Sequence, residues 1–243
     1  VNAEKGVRNM VLLGSVINAI GIAAGTLIGL LLTRIPERIK ETVMIAIGLS
    51  VSILGITMAL KSEDFFYVIV SLIAGAVIGE ILNLEEKLHA AGRWIEGKTG
   101  KSKTGNIAEG FVTATLIFVI GAMSIVGALD SGLRGDHSVL MTKSMIDGFT
   151  SAVLASTLGI GVMLSAIPVF LYEGAIALFA GVIQSSIEKK LLTALISELT
   201  AAGGVMILAI GLNMLQIKSI RVANLLPALP VIILLVTIQH YFF

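Results

Sequence analysis

Asp147 is the residue whose type and surroundings most strongly suggest chemistry. On a helix running from Ser144, Asp147, Thr150, Ser151 and Leu154 share one face at i, i+3, i+4 and i+7 spacing. Thr157 or Leu158, then Gly161 and Ser165, continue that face. A carboxylate with hydroxyls strung below it suits the passage of a cation or a proton through lipid. An ionisable group in a spanning segment costs about 2.5–3.5 kcal/mol on insertion scales, so it faces a cavity or a partner. The plainer alternative is that Asp147 lies one turn inside the membrane and caps the helix or pairs with Lys143 at i−4. Asn18, Ser151, Glu198 and Asn213 are the candidates to line the same path. Asparagines in such places also serve as interhelical hydrogen-bonding groups. Glu80 and Glu173 fall near helix ends, where headgroups or water would receive them.

Backbone groups are a second source of ligands. Gly159-Ile160-Gly161 and Pro168 weaken the helix that carries Asp147, and Gly203-Gly204 poses the same question further on. A break there would free carbonyls and N–H groups to bind a ligand, and a packed kink is the alternative. Asp136-His137-Ser138 has the composition of a hydrolytic triad. Three consecutive side chains diverge, whereas a triad must converge in space. Asp136 and Ser138 are expected to cap the following helix or turn. The chain has no Cys and three His, which excludes thiolate chemistry and makes a multi-His metal cage unexpected. No catalytic residue, metal or cofactor is expected, and the chain is not expected to be an enzyme.

The elements that position these residues follow from composition. Of 243 residues, 56% are hydrophobic and 14% charged, and mean hydropathy is +0.99. A soluble domain is about 25% charged. Too little polar surface exists here to coat a water-soluble globule, so the expected class is an all-α, polytopic transmembrane helix bundle. The net charge of +1 gives no basic face for nucleic acid. A spanning helix needs about 20 apolar residues. Eight segments meet that measure, at roughly 10–32, 43–60, 65–83, 110–129, 144–168, 170–187, 191–216 and 221–242. The sixth is the weakest, so seven spans with one re-entrant segment is the alternative count. Residues 10–243 read as a single transmembrane domain, with Val1–Asn9 left without a role.

Residues 84–109 are the one sizeable polar insertion. Leu84, Leu88, Ala91 and Ile95 form a helical stripe beside Trp94, the pattern of an amphipathic helix on the membrane surface. The Gly-, Lys-, Ser- and Thr-rich stretch that follows reads as a tether. Lys and Arg in the loops, including Arg34, Arg38, Lys40, Lys87, Arg93, Lys218 and Arg221, favour an outside N-terminus.

A shift of 156 residues places Ala24-Gly25 on Ala180-Gly181, Gly48 on Gly204, Gly55 on Gly211 and Met58 on Met214. Helices one to three (10–83) then match six to eight (170–243), with central helices at 110–169 between them. An offset of five spans would invert the second unit, the arrangement of many secondary transporters. A competing echo, Gly25-x3-Gly29 against Gly75-x3-Gly79, suggests tandem helix pairs instead. Both describe small-residue packing faces, which also allow a homodimer.

Several stretches together resemble the YdfK/YqgA family of bacterial inner-membrane proteins. They are Gly110-Phe-Val-Thr-Ala-Thr-Leu, Gly121-Ala-Met-Ser-Ile-Val-Gly127, Gly135-Asp136-His137-Ser138, Lys143-Ser144 with Asp147-Gly148, and Leu158-Gly-Ile-Gly161-Val-Met-Leu-Ser165-Ala166. Gly14-Ser-Val-Ile-Asn18, Gly25-Thr-Leu-Ile-Gly29 and Ile35-Pro-Glu-Arg-Ile-Lys40 extend the resemblance over the whole chain from Met10. It implies a multi-pass protein of the cytoplasmic membrane and supplies neither a substrate nor functional residues. The expected function is secondary transport or ion-coupled export of a small solute or cation. The alternative is a non-transporting scaffold or sensor module.

Overall fold

In lipid the backbone must satisfy its own hydrogen bonds, so an apolar chain of this kind resolves into helices. The computed structural model describes residues 11–31, 37–87, 90 and 107–242. The elements in order are α1 (Leu13–Leu31), α2 (Glu37–Ala59), α3 (Phe65–Leu82), α4 (Ile107–Val119), α5 (Ala122–Arg134) and α6 (Ser138–Leu158). They continue with α7 (Gly161–Leu164), α8 (Ala166–Ser186), α9 (Lys189–Met214), a 3-10 turn (Val222–Leu225) and α10 (Ala228–Phe242). Large apolar side chains such as Ile20, Leu27, Ile53, Ile73, Leu171 and Phe179 face outward. That outer surface suits acyl chains and would be costly in water.

Five segments are long and apolar enough to cross a membrane: Leu13–Leu31, Phe65–Leu82, Gly161–Ser186, Lys189–Met214 and Val222–Phe242. A sixth is reached if the α4–α5 pair, bent by 61°, counts as one span. Seven or eight spans, the number expected from sequence, are not reached on these criteria. The reasons are local. The apolar part of α2, Met44–Ala59, is short, and its first turns carry Glu37, Arg38, Lys40 and Glu41. Helix α6 is diluted by Lys143, Asp147 and several hydroxyls. The break also falls earlier than Pro168. Gly159, at φ 76, ends α6, so the apolar run resumes at Gly161 and continues to Ser186. Pro168 sits in the first turn of α8, a position that tolerates proline. The amphipathic surface helix and tether read at 84–109 lie outside the described residues except for 84–87, 90 and 107–109, as do Val1–Asn9.

Small residues close the bundle. Gly14, Gly21, Gly25 and Gly29 meet Leu140, Ser144, Gly148 and Ala152 in that order, so α1 and α6 run parallel. A Cβ on Gly25 would lie 1.9 Å from the Gly148 carbonyl oxygen, an approach only glycine permits. Helices α2 and α9 run antiparallel, Gly48 against Gly211 and Gly55 against Gly204. Gly75 and Gly79 of α3 likewise meet Ala228 and Asn224. Helix α9 is continuous through Gly203 and Gly204, so the break considered there does not occur. Those two glycines instead admit Ile120 and the Gly55–Ala59 backbone.

Candidate functional site

The close α1–α6 contact lets a short side chain bridge helices. From α1, the amide nitrogen of Asn18 donates to Asp147 Oδ2 on α6 at 3.1 Å and to Glu173 Oε1 on α8 at 2.9 Å. One turn before Asp147, Lys143 ion-pairs with it, and its Nζ lies 3.5 Å from Glu173 Oε1. The Phe118 ring, near the end of α4, approaches the ammonium at 5.9 Å. Asn18 and Glu173 have no exposed surface, and Asp147 and Lys143 are buried. Glu173 stands midway along the Gly161–Ser186 span. Helices α1, α6 and α8 therefore place two carboxyls, an ammonium and an amide in one buried cluster.

This cluster is under-satisfied. Two carboxylates against one ammonium would leave a formal excess of negative charge. Burying ions costs several kcal/mol each unless hydrogen bonds and partners compensate, as an order of magnitude. Yet Glu173 Oε2 and Asn18 Oδ1 have no hydrogen-bond partner, and neither has Ser151 Oγ, one turn beyond Asp147. Both flanking helices are interrupted. The α4–α5 break brings Ser124 Oγ back to the Phe118 carbonyl at 2.9 Å, and Gly159 separates α6 from α7.

Other residues singled out from sequence lie elsewhere. Glu198 does not join Asp147. It accepts from Ser62 Oγ at 2.6 Å and from the backbone N–H groups of Glu63 and Asp64 at 2.7 and 3.2 Å, which pins the α2–α3 turn to α9. Asn213 clasps both backbone groups of Ile220 at 2.8 Å, closing the α9–α10 connection. It borders a cavity of about 420 Å³ that also touches Thr113 and Lys218. A smaller cavity of about 140 Å³ lies at the α4–α5 break between Gly121, Tyr172 and Thr200. Neither is lined by Asn18, Lys143, Asp147 or Glu173.

Asp136 accepts from the Ser138 backbone N–H at 2.9 Å, which together with the Ser138 side chain holds its carboxyl below the usual range. His137 Nδ1 meets Ser131 Oγ at 2.7 Å and not its sequence neighbours. Gly161 packs on the Ile107 carbonyl. Among the described residues no group of three or more His, Cys, Asp or Glu could hold a metal ion.

Glu173 and Phe118 are the members that the sequence did not single out for this site. A helix-end position suggested headgroups for Glu173, but the span begins at Gly161, which moves Glu173 to its middle. Glu80 does sit at an exposed helix end, paired with Arg221 and Asn224.

The family model described as "Protein of unknown function (DUF554)" matches residues 13–237. The chain belongs to the DUF554 family. It is 38% identical over 234 residues to "Uncharacterized membrane protein YdfK" of Bacillus subtilis (strain 168), covering 94% of this chain and 97% of that protein. It is 32% identical over 222 residues to "Uncharacterized protein YqgA" of Escherichia coli (strain K12), covering 89% and 93%. No solved structure matches the chain. Within this membrane protein family of unknown function, the cluster around Asn18 is the feature most suited to a task.

Proposed function

We propose that this DUF554 member is a secondary transporter or ion-coupled exporter of a small solute or cation in the prokaryotic cytoplasmic membrane, with its N-terminus outside. The observation that carries this reading is the buried, under-satisfied Asn18–Lys143–Asp147–Glu173 cluster at mid-span. Buried carboxylates and amides that serve only to hold elements together are expected to be fully paired, as Glu198 and Asn213 are. Phe118, at the end of the interrupted α4, borders the cluster, and transporters often place substrate and coupling ions beside such interrupted helices.

Eight alternating segments, with α4–α5 as the fourth and α7–α8 as the sixth, are supported by helix direction. Alternation makes the first and fifth parallel, and the contacts of α1 and α6 agree. It makes the second and seventh antiparallel, and the third and eighth also, as α2 with α9 and α3 with α10 are. An inverted repeat gains support from the same pairs. Each helix of the first unit packs on its counterpart 156 residues later, α1 on α8, α2 on α9 and α3 on α10.

A second reading, a non-transporting scaffold or sensor, draws on the internal pairing of Lys143 with Asp147 and on cavities that do not open onto the cluster. Transport separates the two. The purified full chain is reconstituted in phosphatidylethanolamine–phosphatidylglycerol vesicles on a solid-supported membrane and exposed to proton, sodium and potassium steps. Currents that are lost in Asp147→Asn are expected. If no ion moves, and the variant is indistinguishable from the parent, the transporter reading fails.

A further inference from the structure

We infer that the ion coupled at this site is a proton, held on Glu173. The inference rests on the transporter reading and names the ion that reading leaves open. Its first ground is charge. Lys143 already supplies the cation of the cluster, in contact with Asp147 and 3.5 Å from Glu173 Oε1. A sodium or potassium ion bound to Glu173 would sit beside that ammonium in a buried surrounding, where repulsion is poorly screened. A proton balances the second carboxylate without adding a cation next to the first.

The second ground is which oxygen is left over. Asp147 Oδ2 receives both Lys143 and Asn18, the environment of a carboxylate. On Glu173 only Oε1 is engaged, by Asn18 at 2.9 Å and more distantly by Lys143 at 3.5 Å, while Oε2 is buried with no partner. A lone carboxylate oxygen in that position is expensive, and a carboxylic acid oxygen much less so. The fully buried Glu173 is therefore the neutral member, and the Lys143–Asp147 pair the charged one.

The groups facing Glu173 are few. Helix α1 contributes Asn18, and α6 contributes Lys143 and Asp147. Helix α4 contributes Phe118 at the cluster and carries Glu109 in its first turn, while α7 has no titratable residue. Helix α5 carries Asp130, paired with Arg134 near the helix end. Tyr172 precedes Glu173 on α8. On release the Oε2–H bond breaks, the proton passes to a water molecule that becomes hydronium, and Glu173 becomes a carboxylate. Lys143, 3.5 Å from Glu173 Oε1 and in contact with Asp147, is then shared by two carboxylates, and the deprotonated cluster carries a net charge of −1 that favours reprotonation. Reprotonation from the opposite side restores the starting pairs.

The test uses the full chain in the same vesicles. Infrared spectra at neutral pH are recorded with carbon-13 carboxyl labels placed in Glu only or in Asp only. The expected result is a protonated buried-carboxyl C=O band that shifts with labelled Glu, not with labelled Asp, and disappears in Glu173→Gln. A proton step at constant sodium and potassium should drive a current that falls at least tenfold in Glu173→Gln, with the variant unfolding close to the parental temperature. Wild-type isotope labelling keeps the test decisive if that variant does not fold. A band that is absent, or that follows labelled Asp, overturns the inference, as does a Glu band without a proton current. A sodium or potassium current with no proton current overturns it and leaves the transporter reading standing. No current with any of the three ions overturns both.

Discussion

Helices α2 and α9 form one side of the molecule, and α1, α6 and α8 form another. Both sides are closed by glycine against backbone. Their buried polar groups are treated differently. On α9 the carboxylate and amide are complete, Glu198 taking three donors and Asn213 spending both ends of its amide on Ile220, and the small hydroxyl of Thr200 is the α9 group left buried without a partner. Around α1, Asn18, Ser15, Thr26, Ser151 and Glu173 each keep a buried polar atom without a partner. The same residue types thus serve two ends. Where partners are complete, a buried Glu or Asn ties a turn to a helix. Where they are incomplete, a low-dielectric site is left with unspent hydrogen-bonding capacity, which a proton or ligand can use.

The comparison breaks most readily at Lys143. Lys143→Met leaves Asp147 buried without its cation and should lower stability by about 3–5 kcal/mol, read from unfolding of detergent-solubilised protein. Adding Asp147→Asn should restore much of the loss. A Lys143→Met protein as stable as the parent would mean that the ammonium is not compensating buried charge.

Glycine contrasts come next. Gly25 and Gly181 are related by the 156-residue shift, yet Gly25 faces the Gly148 carbonyl, whereas a Cβ on Gly181 would meet nothing within 4 Å. Gly25→Ala should cost about 1–3 kcal/mol through overpacking. Gly181→Ala should stay within about 0.5 kcal/mol of the parent by the same measurement. Equal effects would remove the packing distinction between the two positions.

A smaller effect is expected at Glu198. Glu198→Gln weakens charge-assisted bonds to the α2–α3 turn and should cost about 1.5 kcal/mol while leaving ion-driven currents unchanged. Loss of current in a stably folded Glu198→Gln protein would merge the two regions functionally. The smallest effect concerns Asp136, fully exposed at the α5–α6 turn. Its carboxyl is lowered on folding, so its contribution is present above the ordinary carboxylate value and fades as pH falls through the lower folded value. Asp136→Asn should flatten the acid side of the stability–pH curve slightly. An unchanged curve would mean that the Ser138 contact adds no stability.

Much of the site was legible one residue at a time. An aspartate amid hydroxyls, a lysine four residues before it and an asparagine in an apolar run each stand out in sequence. Their convergence did not, because the decisive contacts join positions 129 and 155 residues apart. Glu173 was hidden by a segment boundary. Gly159-Ile160-Gly161 and Pro168 both mark candidate breaks in sequence, and the segment boundary drawn at Pro168 is too late: the positive φ at Gly159 sets the break at the first and carries Glu173 into mid-span. Glu198 stands among the candidates legible in sequence and Glu173 does not, but a buried carboxylate can be retired by three donors from a turn 134–136 residues away, which periodicity does not reveal.

The amino-acid sequence by itself determined the solvent and the element type. An apolar chain with few charges seeks lipid, and lipid leaves a spanning backbone of this composition the helix as its means of satisfying itself. It also determined the Lys143–Asp147 pair, since i and i+4 share a helix face. Only the tertiary structure decided which distant polar groups share one pocket and which are paired off. That choice depends on how closely two glycine-lined backbones approach and where a helix breaks, and both are properties of packing between segments.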